Sequence, residues 1–228
     1  MHFARPSFDS TESPAVLINL TLTACGRLLR RRSARHLLVL GPRGSGKTQL
    51  LDEIGRAAVR LSFLPSVIRA SDEKTPIVLL ASQMLIVLRT LLSNESARSK
   101  AEDGLALLKA FAERHHCELS DLDTSDDTPA LGALSGILES DLSDLFVVTG
   151  EAARAAGAGW LLMTDDIDRL SKADLAALLA SLHRTNQEEL PVMFVGTGLP
   201  IATRRCGEAK SYAERLFRFA DITEHVGR

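Results

Sequence analysis

The stretch from His36 to Leu51, "HLLVLGPRGSGKTQLL", constrains this chain more than any other. "HLLVL" is a short continuous apolar run, the mark of a strand buried on both faces. Beyond the loop, Leu50, Leu51, Ile54, Ala57, Ala58 and Leu61 recur at helical spacing. Between strand and helix, Gly41, Gly44 and Gly46 leave the backbone free to adopt conformations that a Cβ would obstruct. Amides exposed in this way converge at the positive end of a helix, which is a place for an anion.

The spacing is G-x-x-x-x-G-K-T, the phosphate-binding P-loop. Pro42, Arg43, Gly44, Ser45, Gly46, Lys47 and Thr48 are predicted to hold the nucleotide. Arg43 and Ser45 act through their backbone more than their side chains. Lys47 is predicted to reach the β- and γ-phosphates, and the Thr48 hydroxyl to bind Mg²⁺. Such a loop needs a carboxylate on a neighbouring strand, and "LLMTDDIDRL" supplies one. Asp165 is expected at the carboxyl end of its strand, where ligands bind in open α/β sheets, as the second Mg²⁺ residue. Asp166 follows and is suited to polarise an attacking water. Asp168, one turn on, is read either as a helix N-cap or as a further catalytic carboxylate. The long separation of Asp165 from the P-loop leaves room for an intervening strand.

The rest of the chain alternates helices and apolar strands, the pattern of an α/β parallel sheet. Residues 1–13 are polar and read as a flexible segment, with one nucleotide-binding domain over 14–228. Helices are predicted over about Pro14–Arg31, Thr75–Leu92 (Thr75 as a hydroxyl N-cap), Ala97–His116, Ser135–Ala156 and from Ser171, and around Glu208–Phe217. Ser171 and Asp174 suggest a capping box. Further strands are predicted at "PSVIRAS", "WLLMTDD", "LPVMFVGTG" and "FRFADI". The acidic run "LSDLDTSDDTPALG" is a loop. Its imitation of a calcium site fails where Asp126 replaces the required glycine and Gly132 the bidentate glutamate.

Composition excludes several classes. A net charge of −2 provides no global field toward nucleic acid or membrane. One Trp and one Tyr are too few for a base-stacking platform. Cys25, Cys117 and Cys206 are widely spaced and read as reduced thiols of a cytoplasmic protein. "RHHC" at Arg114–Cys117 has no second ligand cluster and reads as a solvated helix end. No apolar run reaches the ~18 residues of a membrane span. The cluster Arg27, Arg30, Arg31, Arg32 and Arg35 is either a solvated helix end or a nucleic-acid contact.

Taken in order, "GPRGSGKT", "LLMTDDID", "PVMFVGTG" and "EAKSYAERLFRF" resemble the AAA+ ATPases, in particular bacterial AAA ATPase-domain proteins related to origin-recognition and STAND-type ATPases. The resemblance covers about residues 36–224 and implies a parallel five-stranded sheet of order 5-1-4-3-2 flanked by helices. It implies ATP and Mg²⁺ as cofactors, ATP hydrolysis, a homo-oligomer, and a protein or DNA partner. It places Thr197 where a sensor residue meets the γ-phosphate or attacking water; a strand-end turn residue is the alternative. It places Arg215 in the arginine-finger neighbourhood of an adjacent subunit, with Arg218 the competing residue and an ordinary surface arginine the alternative.

Three departures bear on activity. The family's Asp-Glu pair is Asp165–Asp166 here, and a carboxylate one methylene shorter misses its water by roughly 1 Å, a displacement that can cost ~100-fold in rate. No lid residues follow the last strand before Arg228, as in a fragment or a lidless variant. The usual segment before the first strand is replaced by "STESPAVLINLTLTACGRLL". The readings that result are an Mg²⁺-dependent, slow ATP phosphohydrolase, a nucleotide-gated switch with little turnover, and a DNA-associated helper ATPase.

Overall fold

The computed structural model describes residues 12–69, 75–117 and 134–222. The acidic run over 118–133, most of the N-terminal segment, the end of the predicted "PSVIRAS" strand and residues beyond 222 lie outside that set. The chain runs α1 (Pro14–Leu29), β1 (His36–Leu40), α2 (Lys47–Val59), β2 (Phe63–Arg69), α3 (Pro76–Leu91), α4 (Arg98–Arg114) and α5 (Leu138–Ala155). It continues through β3 (Gly159–Asp165), a 3₁₀ turn (Ile167–Arg169), α6 (Lys172–Gln187), β4 (Val192–Gly198), α7 (Ile201–Ala209), α8 (Ala213–Leu216) and β5 (Phe217–Asp221).

The five strands are parallel and lie in the order β2-β3-β4-β1-β5, which read from the other edge is 5-1-4-3-2. Apolar strands pack on both sides because successive side chains point to opposite faces. Leu37 and Val39, Leu161 and Met163, and Met193 and Val195 face α1 and α2. Leu38 and Leu40, Trp160 and Leu162, and Val192 and Phe194 face the layer containing α3 to α6. The α2 stripe buries Leu50, Leu51, Ile54 and Ala58 against the first of these faces. Trp160, fully buried, satisfies its indole N–H on Ser66 Oγ at 3.1 Å and packs its ring 4.8 Å from that of Phe146.

Several local expectations change. Thr75 occupies the N-cap of α3 but its hydroxyl makes no cap bond. The stretch predicted as one helix around Glu208–Phe217 divides into α7 and α8. The Ser171 cap forms: its Oγ accepts the Asp174 N–H at 3.1 Å. The Asp174 carboxylate is too short to return to the backbone N–H and instead accepts the Ser171 hydroxyl at 2.7 Å.

At the "RHHC" end of α4, Arg114 and His116 are exposed, whereas His115 is partly buried. His115 Nε2 lies 2.9 Å from Asp141 Oδ2, and Cys117 is buried. Asp141, fully buried, also accepts the Ser135 N–H and hydroxyl at 2.7 Å each and the Gly136 N–H at 3.0 Å. Burial alone would raise the Asp141 pKa; these bonds outweigh it and hold the carboxyl below its ordinary value. Among the described residues no His, Cys, Asp and Glu cluster can hold a metal ion, and no helix is long and apolar enough to cross a membrane.

Candidate functional site

The carboxyl ends of β1, β4 and β3 form one rim, and the predicted site residues meet along it. β1 delivers the chain to Gly41, whose N–H donates to the Gly198 carbonyl at the end of β4 at 3.1 Å. A Cβ on Gly41 would stand 2.5 Å from the Ile222 carbonyl oxygen, so only glycine passes there. The loop then turns into α2 through Gly46, which sits at the N-cap with φ +82° and needs no strained side chain to do so.

Lys47 is the first residue of α2 and is only 7% exposed. Its ammonium folds back into the loop, donating to the Pro42 carbonyl at 2.6 Å and the Gly41 carbonyl at 3.0 Å. Ser45 Oγ donates to the same Pro42 carbonyl at 2.9 Å. Carbonyls solvate the lysine charge without neutralising it. The next residue, Thr48, donates its hydroxyl to Asp165 Oδ2 at 2.6 Å.

Asp165 ends β3, and β4 lies between β3 and β1 in the sheet. The intervening strand that the sequence separation allowed is therefore present, and it brings its own side chain to the carboxylate. Thr197, fully buried near the end of β4, donates its hydroxyl to Asp165 Oδ1. One carboxylate is thus held from both sides by hydroxyls of two different elements. Thr197 was expected at a γ-phosphate or water; in this structure its hydroxyl is on Asp165, and it also accepts the Asp166 N–H at 3.4 Å.

Asp166 adopts φ 53° and ψ 52°, a left-handed conformation. Asp and Asn enter that region more readily than residues with longer side chains. The Asp166 side chain makes no hydrogen bond or ion pair among the described residues. Asp168 is not the N-cap of a helix: it lies within the 3₁₀ turn, and its Oδ1 accepts the Leu199 N–H at 2.9 Å. Together with the Thr197 bonds it fastens the turn after β3 to the turn after β4. The repeated small polar residues of "VGTG" and the third aspartate of "DDID" were the only sequence signals of this clamp.

The donor set fits a Mg²⁺-bound triphosphate. Thr48 and Asp165 present hard oxygens within one hydrogen bond of each other, the ligand type Mg²⁺ takes. The first-turn amides of α2 have no acceptor inside the helix, as in any helix, and open onto the same loop. Among the described residues Lys47 faces no carboxylate that would compete with a phosphate.

Arg215 is not part of this rim. It sits in α8 just before Phe217, which pairs with His36, the first residue of β1. That places Arg215 at the opposite, amino-terminal edge of the sheet. Arg218, the competing residue, lies on β5 and donates to Glu12 Oε1 at 2.6 Å. The arginines closing α1 are partly used by the backbone: Arg27 Nε and Nη2 donate to the Ser33 carbonyl at 3.2 and 3.1 Å. Arg35 Nη2 donates to the Glu214 carbonyl at 2.7 Å.

A family model described as the AAA ATPase domain matches residues 19–195. No curated protein matches the chain. A structure of an E. coli MS115-1 HORMA:CdnC:Trip13 complex is similar at 15% identity and a TM-score of 0.42, over 92% of this chain and 61% of that one. The Aeropyrum pernix ORC1 protein in complex with DNA is similar at 14% identity and a TM-score of 0.42, over 96% of this chain and 47% of that one. The chain thus spans less than two thirds of either solved relative.

Proposed function

The chain belongs to the AAA ATPase domain family, and from that premise we propose that it binds ATP with Mg²⁺ at the rim of β1, β4 and β3, hydrolyses it slowly, and couples nucleotide state to a partner or to an oligomer. The observation that carries this reading is the pair of hydroxyls, Thr48 and Thr197, converging on the one carboxylate of Asp165 beside the lysine-bearing loop.

Lys47 leaves the Gly41 and Pro42 carbonyls and moves its charge onto the β- and γ-phosphates, a stronger acceptor for an ammonium than a carbonyl. The loop amides and the α2 N-terminus hold the remaining phosphate oxygens. Thr48 and Asp165 hold the Mg²⁺, which when bound neutralises charge developing on the phosphates. Thr197 keeps the Asp165 carboxylate in register and stands within reach of the transferred group. Asp166 orients the attacking water, and its short side chain makes that step slow. Arg215, on the far edge, has no part in its own nucleotide's chemistry.

A switch with little turnover is the second reading, favoured by the short Asp166 side chain, which makes no hydrogen bond or ion pair among the described residues. Phosphate release over an hour, measured for the wild type and for Asp166→Glu, separates the two. A slow but ATP-saturable wild-type rate supports hydrolysis. A rate at background in the wild type that appears in Asp166→Glu supports the switch. Absence of nucleotide binding in both proteins ends both readings.

A further inference from the structure

A pocket of about 510 Å³ opens at the amino-terminal edge of the sheet, between α1, the turn that follows it and β5, on the opposite side of the molecule from Lys47. Its floor is aliphatic, with Leu20 and Ala24 of α1, Leu37 of β1 and Met193 of β4. Its rim carries Arg27, Arg35, Arg215 and Arg218. Among the described residues no carboxylate and no aromatic side chain lines it.

Two of these four arginines are held in place by backbone carbonyls, and one of the four has a carboxylate partner. Arg27 is held by the Ser33 carbonyl through two N–H groups. Arg35 is held by the Glu214 carbonyl at 2.7 Å and the Arg215 carbonyl at 3.3 Å. A carbonyl orients a guanidinium and leaves its charge intact. Among the described residues Arg218 has a carboxylate partner, Glu12, whereas Arg27, Arg35 and Arg215 have none. Two oriented guanidiniums, Arg27 and Arg35, and a third at Arg215 thus surround the aliphatic floor without a carboxylate partner among the described residues.

We propose that this pocket docks an acidic segment of a partner protein, with one aliphatic side chain seated on Leu20, Ala24, Leu37 and Met193 and flanking carboxylates paired with Arg27, Arg35 and Arg215. Guanidinium is the cation suited to bidentate carboxylate recognition, and its carbonyl bonds reduce the ordering cost of forming such pairs. The aliphatic floor supplies an anchor that a sugar–phosphate chain does not use. Without an aromatic lining there is no face on which a base would stack, so the pocket fits an acidic peptide better than a nucleic acid.

The test uses the whole chain and a fluorescein-labelled octapeptide of sequence EDELLEDE, read by fluorescence anisotropy. Saturable binding is expected, weakened about fivefold to tenfold by Arg35→Ala and by Arg215→Ala, the range of one partly exposed charge pair. Ala24→Trp fills the floor while leaving every charge in place and is expected to weaken binding about tenfold or more. Should that variant fold poorly by circular dichroism, the peptide with both leucines replaced by serine makes the same measurement on the unaltered protein. Loss of binding with the serine peptide supports the seated side chain. Equal binding of the two peptides, or no binding of either, overturns the proposal. So does a single-stranded deoxythymidine 20-mer that displaces the peptide and binds more tightly, with a steep salt dependence that marks a phosphate-backbone site.

Discussion

The two ends of strand β1 carry opposite kinds of polar chemistry. At its carboxyl end the chain passes into a loop whose lysine, hydroxyls and carboxylates face one another across β1, β4 and β3. At its amino end stands His36, fully buried between Phe194 and Phe217, next to arginines held by backbone carbonyls. The first rim is internally paired and must rearrange to accept a ligand. The second holds Arg27 and Arg35 on backbone carbonyls, with no carboxylate partner for either among the described residues. Parallel strands produce this asymmetry: every carboxyl end opens on one edge, so side chains distant in sequence meet there, while the other edge collects helix ends and the start of each strand.

The comparison is tested most strongly at Lys47. Replacing it by alanine removes two charge-assisted bonds of about 2 kcal/mol each, and ATP affinity measured by calorimetry is expected to fall about a thousandfold with the melting temperature little changed. A loss below tenfold would mean that the carboxyl rim is not the nucleotide site.

His36 tests the other end. Its Nδ1 accepts the Phe194 N–H at 3.2 Å, so the neutral ring carries its proton on Nε2, which turns toward the Leu182 carbonyl without completing a hydrogen bond. Burial pushes its pKa down to about 4, the Leu182 carbonyl opposing that fall. The unfolded chain, with an ordinary histidine near 6.5, binds the proton first. Stability from the neutral ring is therefore complete above about pH 6.5 and is lost as pH falls toward 4, by about 3 kcal/mol in all. Urea unfolding at pH 7 and pH 4.5 is expected to show most of that loss, and His36→Leu to show a flatter pH dependence. An unchanged slope in the variant would assign the acid sensitivity to other groups.

Thr197→Val removes the hydroxyl from Asp165 with little change in shape. It is expected to lower the rate of phosphate release about 30-fold, near 2 kcal/mol, with ATP affinity changed less than about threefold. Equal losses in affinity and rate would make Thr197 a binding residue rather than a positioning one. The smallest effect belongs to Ser171→Ala, which removes the α6 cap after the same turn. About 1 kcal/mol and a fall of roughly 2–4 °C in melting temperature are expected, with ATP affinity unaltered.

Much of the fold was legible in the residues because the elements are local. "HLLVL" reads as a buried strand, and the α2 stripe from Leu50 to Ala58 is an unbroken helical period. Thr75 stands at the N-cap of α3 as its residue type predicts, but its hydroxyl makes no cap bond, because that bond depends on a rotamer that the sequence does not state. The "RHHC" end is solvated at Arg114 and His116, as its polarity suggests, but the contact that draws His115 inward, with Asp141, comes from the next helix and has no local signal.

By itself the sequence determined the phosphate loop, the strand ending at Asp165 and the alternation that makes the sheet parallel, since each depends on spacing within a few residues. Only the tertiary structure decided that Thr197 reaches Asp165, that Asp168 takes the Leu199 amide, and that Arg35 and Arg215 share one pocket. Those contacts join elements far apart along the chain, and their geometry is set by strand order and register, which no local pattern of residues encodes.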